Sequence, residues 1–337
     1  MKEGIILARN KEKKEGSALK KLVIFLAILV IAIPASVFGY LYFKLNSMYD
    51  KEADESVLNE TDYKSEDGIT NILLVGTDAR PGETDSRSDS MMILTVDNKN
   101  KSLKLTSLAR DTYADIPGYG KQKLTHAYVY GGINLLTETI EKTFELDIQN
   151  YAIVDFLSFM DIVDTLGGVE VNVQQSEISE LNKYTKECYN LSTNPNKGSL
   201  QLIETSGTHN LNGYQALAFS RIRKNDSAFE RDRRQREVIQ GMVNGLKELP
   251  VTKYPELVNT ILPHVKTNMK PTQIISLAGK ALSIGDLSIK QMEFPITTDA
   301  SLSTGHIISQ STGWVLEFVP ESLSILHDFI FNDKIYE

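Results

Sequence analysis

Arginine gathers in one stretch of this sequence, NGYQALAFSRIRKNDSAFERDRRQREVIQG, residues 212–241. Arg221 and Arg223 stand two apart, and Arg231, Arg233, Arg234 and Gln235 follow. Guanidinium groups held close together repel one another unless an anion lies between them, and their planar forks suit phosphate oxygens. A second set of charged residues adjoins apolar runs: Asp78 after NILLVGT, Arg87 and Asp89 before MMILTVD, Arg110 and Asp111 after LTSLA. Two carboxylates at strand ends flanked by arginines suit a hard divalent cation. Magnesium takes only one or two protein carboxylates and completes its octahedron with water and phosphate oxygens. Asp78 and Asp89 are therefore the candidate ligands for Mg2+. Arg110, Arg221, Arg223 and Arg231 would hold the remaining phosphate charge and stabilise a departing phosphate. The competing readings are a solvated basic helix face, paired locally by Asp226, Glu230, Asp232 and Glu237, and structural ion pairs such as Asp78 with Arg80.

Other chemistries fit less well. Gly76-Thr-Asp-Ala-Arg80 has the strand-end position of a P-loop but lacks its Lys-Ser/Thr pair. Ser90 has no histidine base at a recognisable spacing. The single cysteine, Cys188, excludes an internal disulfide and reads as incidental. His126, His209, His264, His306 and His327 are scattered, with no pair at zinc-ligand spacing. Lys123 is either a phosphate contact or an exposed lysine, His126 reads as structural, and Trp314 as core. A formal net charge of −8 argues against general nucleic-acid binding and makes the local arginine cluster a specific anion site.

The elements that must position these residues can be read from periodicity. Asn212 is an N-cap for a short helix, and Ser227-Ala-Phe-Glu230 has capping-box spacing, so a second helix is predicted from there. On it Arg231, Gln235 and Val238 share a face, while Val238, Ile239, Met242 and Leu246 continue as an apolar stripe. Strands are predicted at 71–77, 91–97, 102–108, 151–155, 169–173, 289–296 and 314–319. Helices are predicted at 133–144, 156–166, 254–265, 271–284 and 320–331, with Gly167-Gly168 ending the second. Residues 174–210 read as a polar, irregular excursion. Interleaved strands and helices imply one α/β domain with helices covering a mixed sheet.

Ahead of that domain the sequence changes character. Residues 1–21 are basic, and 22–43, LVIFLAILVIAIPASVFGYLYF, carry no charge. At a rise of about 1.5 Å per residue this run crosses a hydrocarbon core of about 30 Å. It is too long for a usual signal-peptide core, so it reads as an uncleaved signal anchor. The basic residues before it put 1–21 in the cytoplasm and everything after Lys44 outside the cell membrane. Residues 44–68 read as an extracellular stalk and 69–337 as the ordered extracellular domain.

Six motifs then fall in order: NILLVGTDAR (71–80), RSDSMMILTVD (87–97), LTSLARDTYADIPGYG (105–120), KLTHAYVYGG (123–132), VDFLSFMDIVDTLGGVEV (154–171) and LNGYQALAFSRIRKNDSAFERDRRQREVI (211–239). Together, across a motif core at 69–245, they resemble the LytR-CpsA-Psr proteins of bacterial cell envelopes. The resemblance implies an αβα sandwich with a mixed central sheet. It further implies a magnesium-dependent transferase that moves an anionic glycopolymer, such as teichoic acid or capsule, from a polyprenyl pyrophosphate carrier to peptidoglycan. By the same resemblance Asp78 and Asp89 match magnesium ligands, and Arg87, Arg110, Lys123, Arg221, Arg223, Arg231 and Gln235 match residues around the pyrophosphate. Arg87, Asp89 and Arg110 form the expected catalytic set. A prenyl tunnel is expected between the sheet and the helices at 133–144 and 156–166. One position departs: the family's usual Asp in the arginine-rich loop falls on Ala228, with Asp226 nearby, and the general base stays open. A pyrophosphatase using water as acceptor, and a non-catalytic receptor for lipid-linked glycan, are the alternative functions.

Overall fold

The computed structural model describes residues 39–50, 62–78, 87–222, 228–250, 253, 256, 259–260, 265–310 and 312–336, with 228 and 229 described by backbone alone. The anchor predicted over 22–43 lies almost wholly outside these residues, of which 39–45 are helical. Among the described residues no helix is long and apolar enough to cross a membrane. Most of the helix expected at 254–265 also lies outside them.

Ile69–Thr77 (β1), Ser88–Asp97 (β2) and Ser102–Leu108 (β3), each predicted as a strand, form an antiparallel meander. Tyr113–Ile116 (β4) and Gly120–Lys123 (β5) then make a separate ribbon. Thr125–Phe144 (α1) leads to Asn150–Asp155 (β6), which returns parallel to β1. Next come Phe156–Thr165 (α2), Val169–Val173 (β7), Ile178–Leu191 (α3), Gly207–Leu211 (β8), Gly213–Ser220 (α4) and Ala228–Glu248 (α5). The remaining elements are Val265–Thr267 (β9), Pro271–Ile284 (α6), Ile289–Phe294 (β10), Ser303–Ser309 (β11), Gly313–Phe318 (β12) and Ser322–Asn332 (α7). The main sheet is mixed and six-stranded, in the order β10-β3-β2-β1-β6-β9.

Its central strands are almost continuously apolar because both faces are covered. Leu73, Val75, Met91 and Ile93 point to one face, against Leu136, Ile140 and Phe144 of α1 and Leu326 and Phe329 of α7. Ile72, Met92, Val96 and Leu105 point to the other, beneath α6 and the partly buried Ile239 and Val243 of α5. This is the expected αβα layering. A further cluster beside the sheet joins Val163 of α2, Leu181 and Cys188 of α3, and Leu217 and Phe219 of α4.

Several expectations are corrected. Residues 174–210 are not irregular: they contain α3 and β8. The buried stripe of α3 is Leu181, Thr185 and Cys188, so only one of its three members reads as a conventional apolar residue. The helix expected from Ile133 is preceded by a helical segment from Thr125, and Gly131-Gly132 breaks the two apart. Gly132 takes φ 64° and ψ −153°, a conformation open essentially to glycine alone. The strand Ser303–Ser309 was not anticipated, and its partner β12 carries Trp314, which is 38% exposed and not a core residue. The described parts of the predicted stalk are docked onto the domain. Asp50 N donates to Thr267 O at 2.8 Å, the Tyr151 hydroxyl donates to Asp50 at 3.2 Å, and Lys64 bridges to Leu146.

α4 is held against α2 by a close backbone approach. Asn212 caps it, accepting from Gln215 N at 3.1 Å while the Gln215 side chain accepts from Asn212 N at 3.1 Å. A Cβ on Gly213 would overlap the Met160 carbonyl oxygen, which is backbone and cannot yield. Gly213→Ala is expected to lower stability by about 1–3 kcal/mol, measured by urea unfolding. In α1, Glu141 is buried and accepts from Ile148 N at 3.0 Å. Burial, with Asp147 and Glu138 nearby, pushes its carboxyl up to about 7 from an ordinary 4.5. The folded state then binds the proton more tightly than the unfolded state, so stability falls as pH rises from about 4.5 to about 7 and levels off above it. Glu141→Gln is expected to flatten that part of a pH–stability curve.

Candidate active site at the mouth of an apolar cavity

The parallel pair β1 and β6 ends on one side of the sheet, at Thr77 and Asp155. Ligands of open α/β sheets bind beyond such carboxyl ends. β2 begins at the same place with an irregular register: Gly76 pairs with Ser90 but Thr77 pairs with Ser88. Asp89 is the extra residue of that bulge, which frees it from the ladder and turns it toward the site. Asp78 is fixed across the same junction. Its Oδ1 accepts from Arg87 N at 2.7 Å, and its own N–H donates to Arg87 O at 3.3 Å.

From these strand ends a cavity of about 850 Å3 runs between the sheet and the helices α2, α4 and α5. Its walls are apolar, with Leu74 and Met92 from the sheet, Ile162 and Leu166 from α2, and Ile239 and Met242 from α5. Of the stripe predicted on α5, Ile239, Met242 and Leu246 therefore line a cavity, while Val238 is buried in the cluster beside the sheet. α1, expected to flank the prenyl tunnel, lies on the opposite face of the sheet, where Leu136 and Ile140 are core. Sequence periodicity shows that a helix has an apolar face but not which sheet face it covers.

The charged residues of the lining, Asp78, Asp89, Asp155, Arg221 and Arg231, stand at the mouth with Gln235. Arg221, just past α4, has its guanidinium 5.3 Å from the ring centroids of both Phe156 and Tyr184. It donates to Cys188 Sγ at 3.4 Å, and Glu187 approaches it only to 3.8 Å. Burial pushes the Cys188 thiol up, so it stays neutral and leaves the arginine's charge undiminished. Aromatic faces orient a guanidinium without neutralising it. Arg231 is 8% exposed and lies 3.3 Å from Asp232, while its Nε is buried with no hydrogen-bond partner among the described residues. Burial raises the Asp232 carboxyl against the pull of Arg231 and Arg236, which weakens its hold on Arg231. Ser90 Oγ donates to Gln235 Oε1 at 2.9 Å, tying β2 to α5.

A second group of cations meets the site from the side of β5 and α1. Arg110 pairs with Asp89, and Lys123 pairs with Asp111 at 2.8 Å. Both, with Arg87, face His126, whose imidazole is held below its usual range by burial and then by these three cations. His126, read from the sequence as structural, stands beside this charged group. Arg87, Arg110 and Lys123 do not line the cavity itself. Arg223, Arg80 and Asp226 lie outside the described residues, as does the side chain of Ala228. Arg233 and Arg234 serve the fold: Arg234 is fully buried and donates to Glu177 at 2.7 Å, and Arg233 pairs with Glu230 and Glu237. Sequence reasoning missed Ser90 as the link to Gln235, since a serine at a strand end carries no distinctive signal.

Fold and site define an α/β protein whose apolar cavity opens at a mouth lined by arginines and aspartates. The LytR_cpsA_psr family profile matches residues 36–315, and the chain belongs to that family. It is 33% identical over 282 residues to the polyisoprenyl-teichoic acid–peptidoglycan teichoic acid transferase TagT of Bacillus subtilis, covering 80% of this chain and 83% of that one. It is 35% identical over 272 residues to the corresponding transferase TagU of Bacillus cereus, covering 77% and 83%. Among solved structures it matches TagT bound to LIIa-WTA with a TM-score of 0.65 at 26% identity, covering 85% of this chain and 98% of that one. TagT with bound octaprenyl pyrophosphate lipid matches with a TM-score of 0.61 at 25% identity, with the same coverage.

Arg221→Ala is expected to weaken binding of inorganic pyrophosphate by roughly 10- to 100-fold, as a charge-assisted hydrogen bond is lost. Calorimetric titration reads this directly. Lys142→Ala, which removes an exposed pair with Asp115 on the other face of the sheet, should leave it unchanged.

Proposed function

We propose that this protein transfers an anionic glycopolymer of the teichoic acid class from a polyprenyl pyrophosphate carrier to peptidoglycan. The observation that carries the reading is the join of an apolar cavity of about 850 Å3 to a mouth lined by Arg221, Arg231 and Gln235. An apolar chain and a pyrophosphate head need those two environments in contact. The names of TagT and TagU supply the cargo and the acceptor, and the TagT structure with octaprenyl pyrophosphate supplies a ligand with this division of polarity.

The reaction balances without a further reactant. An acceptor hydroxyl attacks the glycan-side phosphorus, the bond to the bridging oxygen breaks, prenyl phosphate leaves and the hydroxyl proton is released. Arg221 and Arg231 hold the departing phosphate, and the unpartnered Nε of Arg231 is a donor suited to one of its oxygens. Arg110, held by Asp89, and Arg87 approach from the opposite side of the strand ends and neutralise charge on the reacting phosphoryl group. The donor set also fits magnesium. Asp78 and Asp89 line the mouth together, no group of three or more carboxylates, histidines or cysteines is arranged to hold a metal among the described residues, and a phosphate-sharing Mg2+ needs only two. When bound there, magnesium would supply charge stabilisation to the pyrophosphate oxygens.

The same reading places the domain outside the cell, tethered by a single span at 22–43 with residues 1–21 in the cytoplasm. Its support is the uncharged run, the basic residues ahead of it, and a substrate whose head group lies at a bilayer surface.

The test incubates the full chain in detergent with a short lipid-pyrophosphate-linked glycan, peptidoglycan oligomers and magnesium, with products read by mass spectrometry. A phosphodiester-linked adduct that is lost on chelation, and reduced by about 100-fold or more in Arg110→Ala, is the expected result. Free phosphoglycan without adduct would make the protein a pyrophosphatase, and an intact lipid bound in both samples would make it a receptor.

A further inference from the structure

On the side of the strand ends away from the cavity, aromatic rings are held in solvent. Tyr119, in the turn between β4 and β5, stacks on Tyr130 with centroids 4.5 Å apart and planes 17° from parallel. Tyr130 in turn meets the His126 ring at 5.8 Å. Tyr119 is 53% exposed and Tyr130 39%. Two rings fixed against each other yet left in water are a surface for an apolar partner, since their burial would otherwise stabilise the core. Their placement is built into the backbone. Tyr119 lies between Gly118 at φ 80° and Gly120 at φ 69°, and Tyr130 ends the first segment of α1 just before the Gly131-Gly132 break.

The row of rings leads inward to the phosphate site. His126 follows Thr125, whose N–H donates to Arg110 O at 3.1 Å and whose hydroxyl donates to Ser88 O at 2.9 Å, so it stands beside the strand ends. None of Tyr119, His126 and Tyr130 lines the cavity. They stand on α1 and the β4–β5 ribbon, which pack on the opposite sheet face through Ile116, Leu124 and Ala127.

We propose that Tyr119 and Tyr130 form a subsite that stacks a pyranose ring of the acceptor glycan. The inference rests on the transfer reading above. A pyranose presents a face of C–H groups that packs on an aromatic ring while its hydroxyls remain in water. Geometry selects the acceptor over the donor glycan. In-line displacement puts the attacking oxygen opposite the leaving one. Prenyl phosphate leaves toward the cavity, so the attacking hydroxyl arrives from the far side, where this row of rings begins.

The experiment uses the full chain in detergent and a peptidoglycan oligosaccharide as probe. Its binding is measured by calorimetry without donor, and its KM in the transfer assay with donor saturating. Tyr119→Ala is expected to weaken oligosaccharide binding and raise its KM by roughly fivefold to tenfold, with donor KM and the limiting rate unchanged. Tyr119→Phe should behave as wild type, because stacking does not need the hydroxyl, and Tyr130→Ala should follow Tyr119→Ala. Unchanged oligosaccharide affinity in Tyr119→Ala would overturn the proposal, and so would a rise in donor KM alone. Loss of binding in Tyr119→Phe equal to that in the alanine variant would overturn the stacking contact. Binding that depends on Tyr119 in a protein that catalyses no transfer would keep the subsite and reject the transferase. Transfer with an acceptor KM indifferent to Tyr119 would do the reverse.

Discussion

Guanidinium groups and an apolar cavity have opposite demands for solvent, and this fold must satisfy both within one short distance. The solution lies at the ends of β1, β2 and β6. A strand places alternate side chains on opposite faces, so Leu74 and Met92 can line the cavity while Leu73, Val75, Met91 and Ile93 support the strands from behind. Beyond the last ladder pairs the backbone is no longer tied to that alternation. The bulge at Asp89 uses this freedom to bring a carboxylate and its Arg110 partner to the edge of an apolar wall.

The arginines at the mouth are kept charged in different ways. Arg221 is oriented by the rings of Phe156 and Tyr184 and by a neutral thiol, with its nearest carboxylate at 3.8 Å. Arg231 is buried beside a carboxyl whose own ionisation is resisted by burial. Arg234 shows the alternative fate in the same helix, fully buried against Glu177. A buried guanidinium with a strong partner is a structural element, and one with a weak partner remains a binding group.

Two groups of cations, carried by different elements, meet at these strand ends. α4 and α5 bring Arg221 and Arg231 with the cavity, and the segment after β3 with β5 brings Arg110 and Lys123. In the proposed phosphoryl transfer the leaving group and the incoming nucleophile occupy opposite sides of phosphorus, so both groups of cations have a role.

Much of this was legible before any coordinates. Apolar runs bounded by Asp78, Asp89 and Arg110 identified β1 to β3 and the charged residues at their ends. Those signals are local: residue type, spacing and turn chemistry act over a few positions, and Asn212 capping α4 is a further case. The helix α3 was lost because Thr185 and Cys188 fill core positions without reading as apolar. Which face of the sheet each helix covers was beyond local pattern, so α1 was expected beside the cavity that α2, α4 and α5 enclose. The same limit hid the exposure of Trp314, the placing of His126 beside the strand ends, and the stacking of Tyr119 on Tyr130. Residue type and spacing marked out which residues could carry the chemistry and which segments could be strands and helices. Which of them meet was set by the folded chain, because burial, ion pairing and ring stacking depend on neighbours that are distant in the sequence.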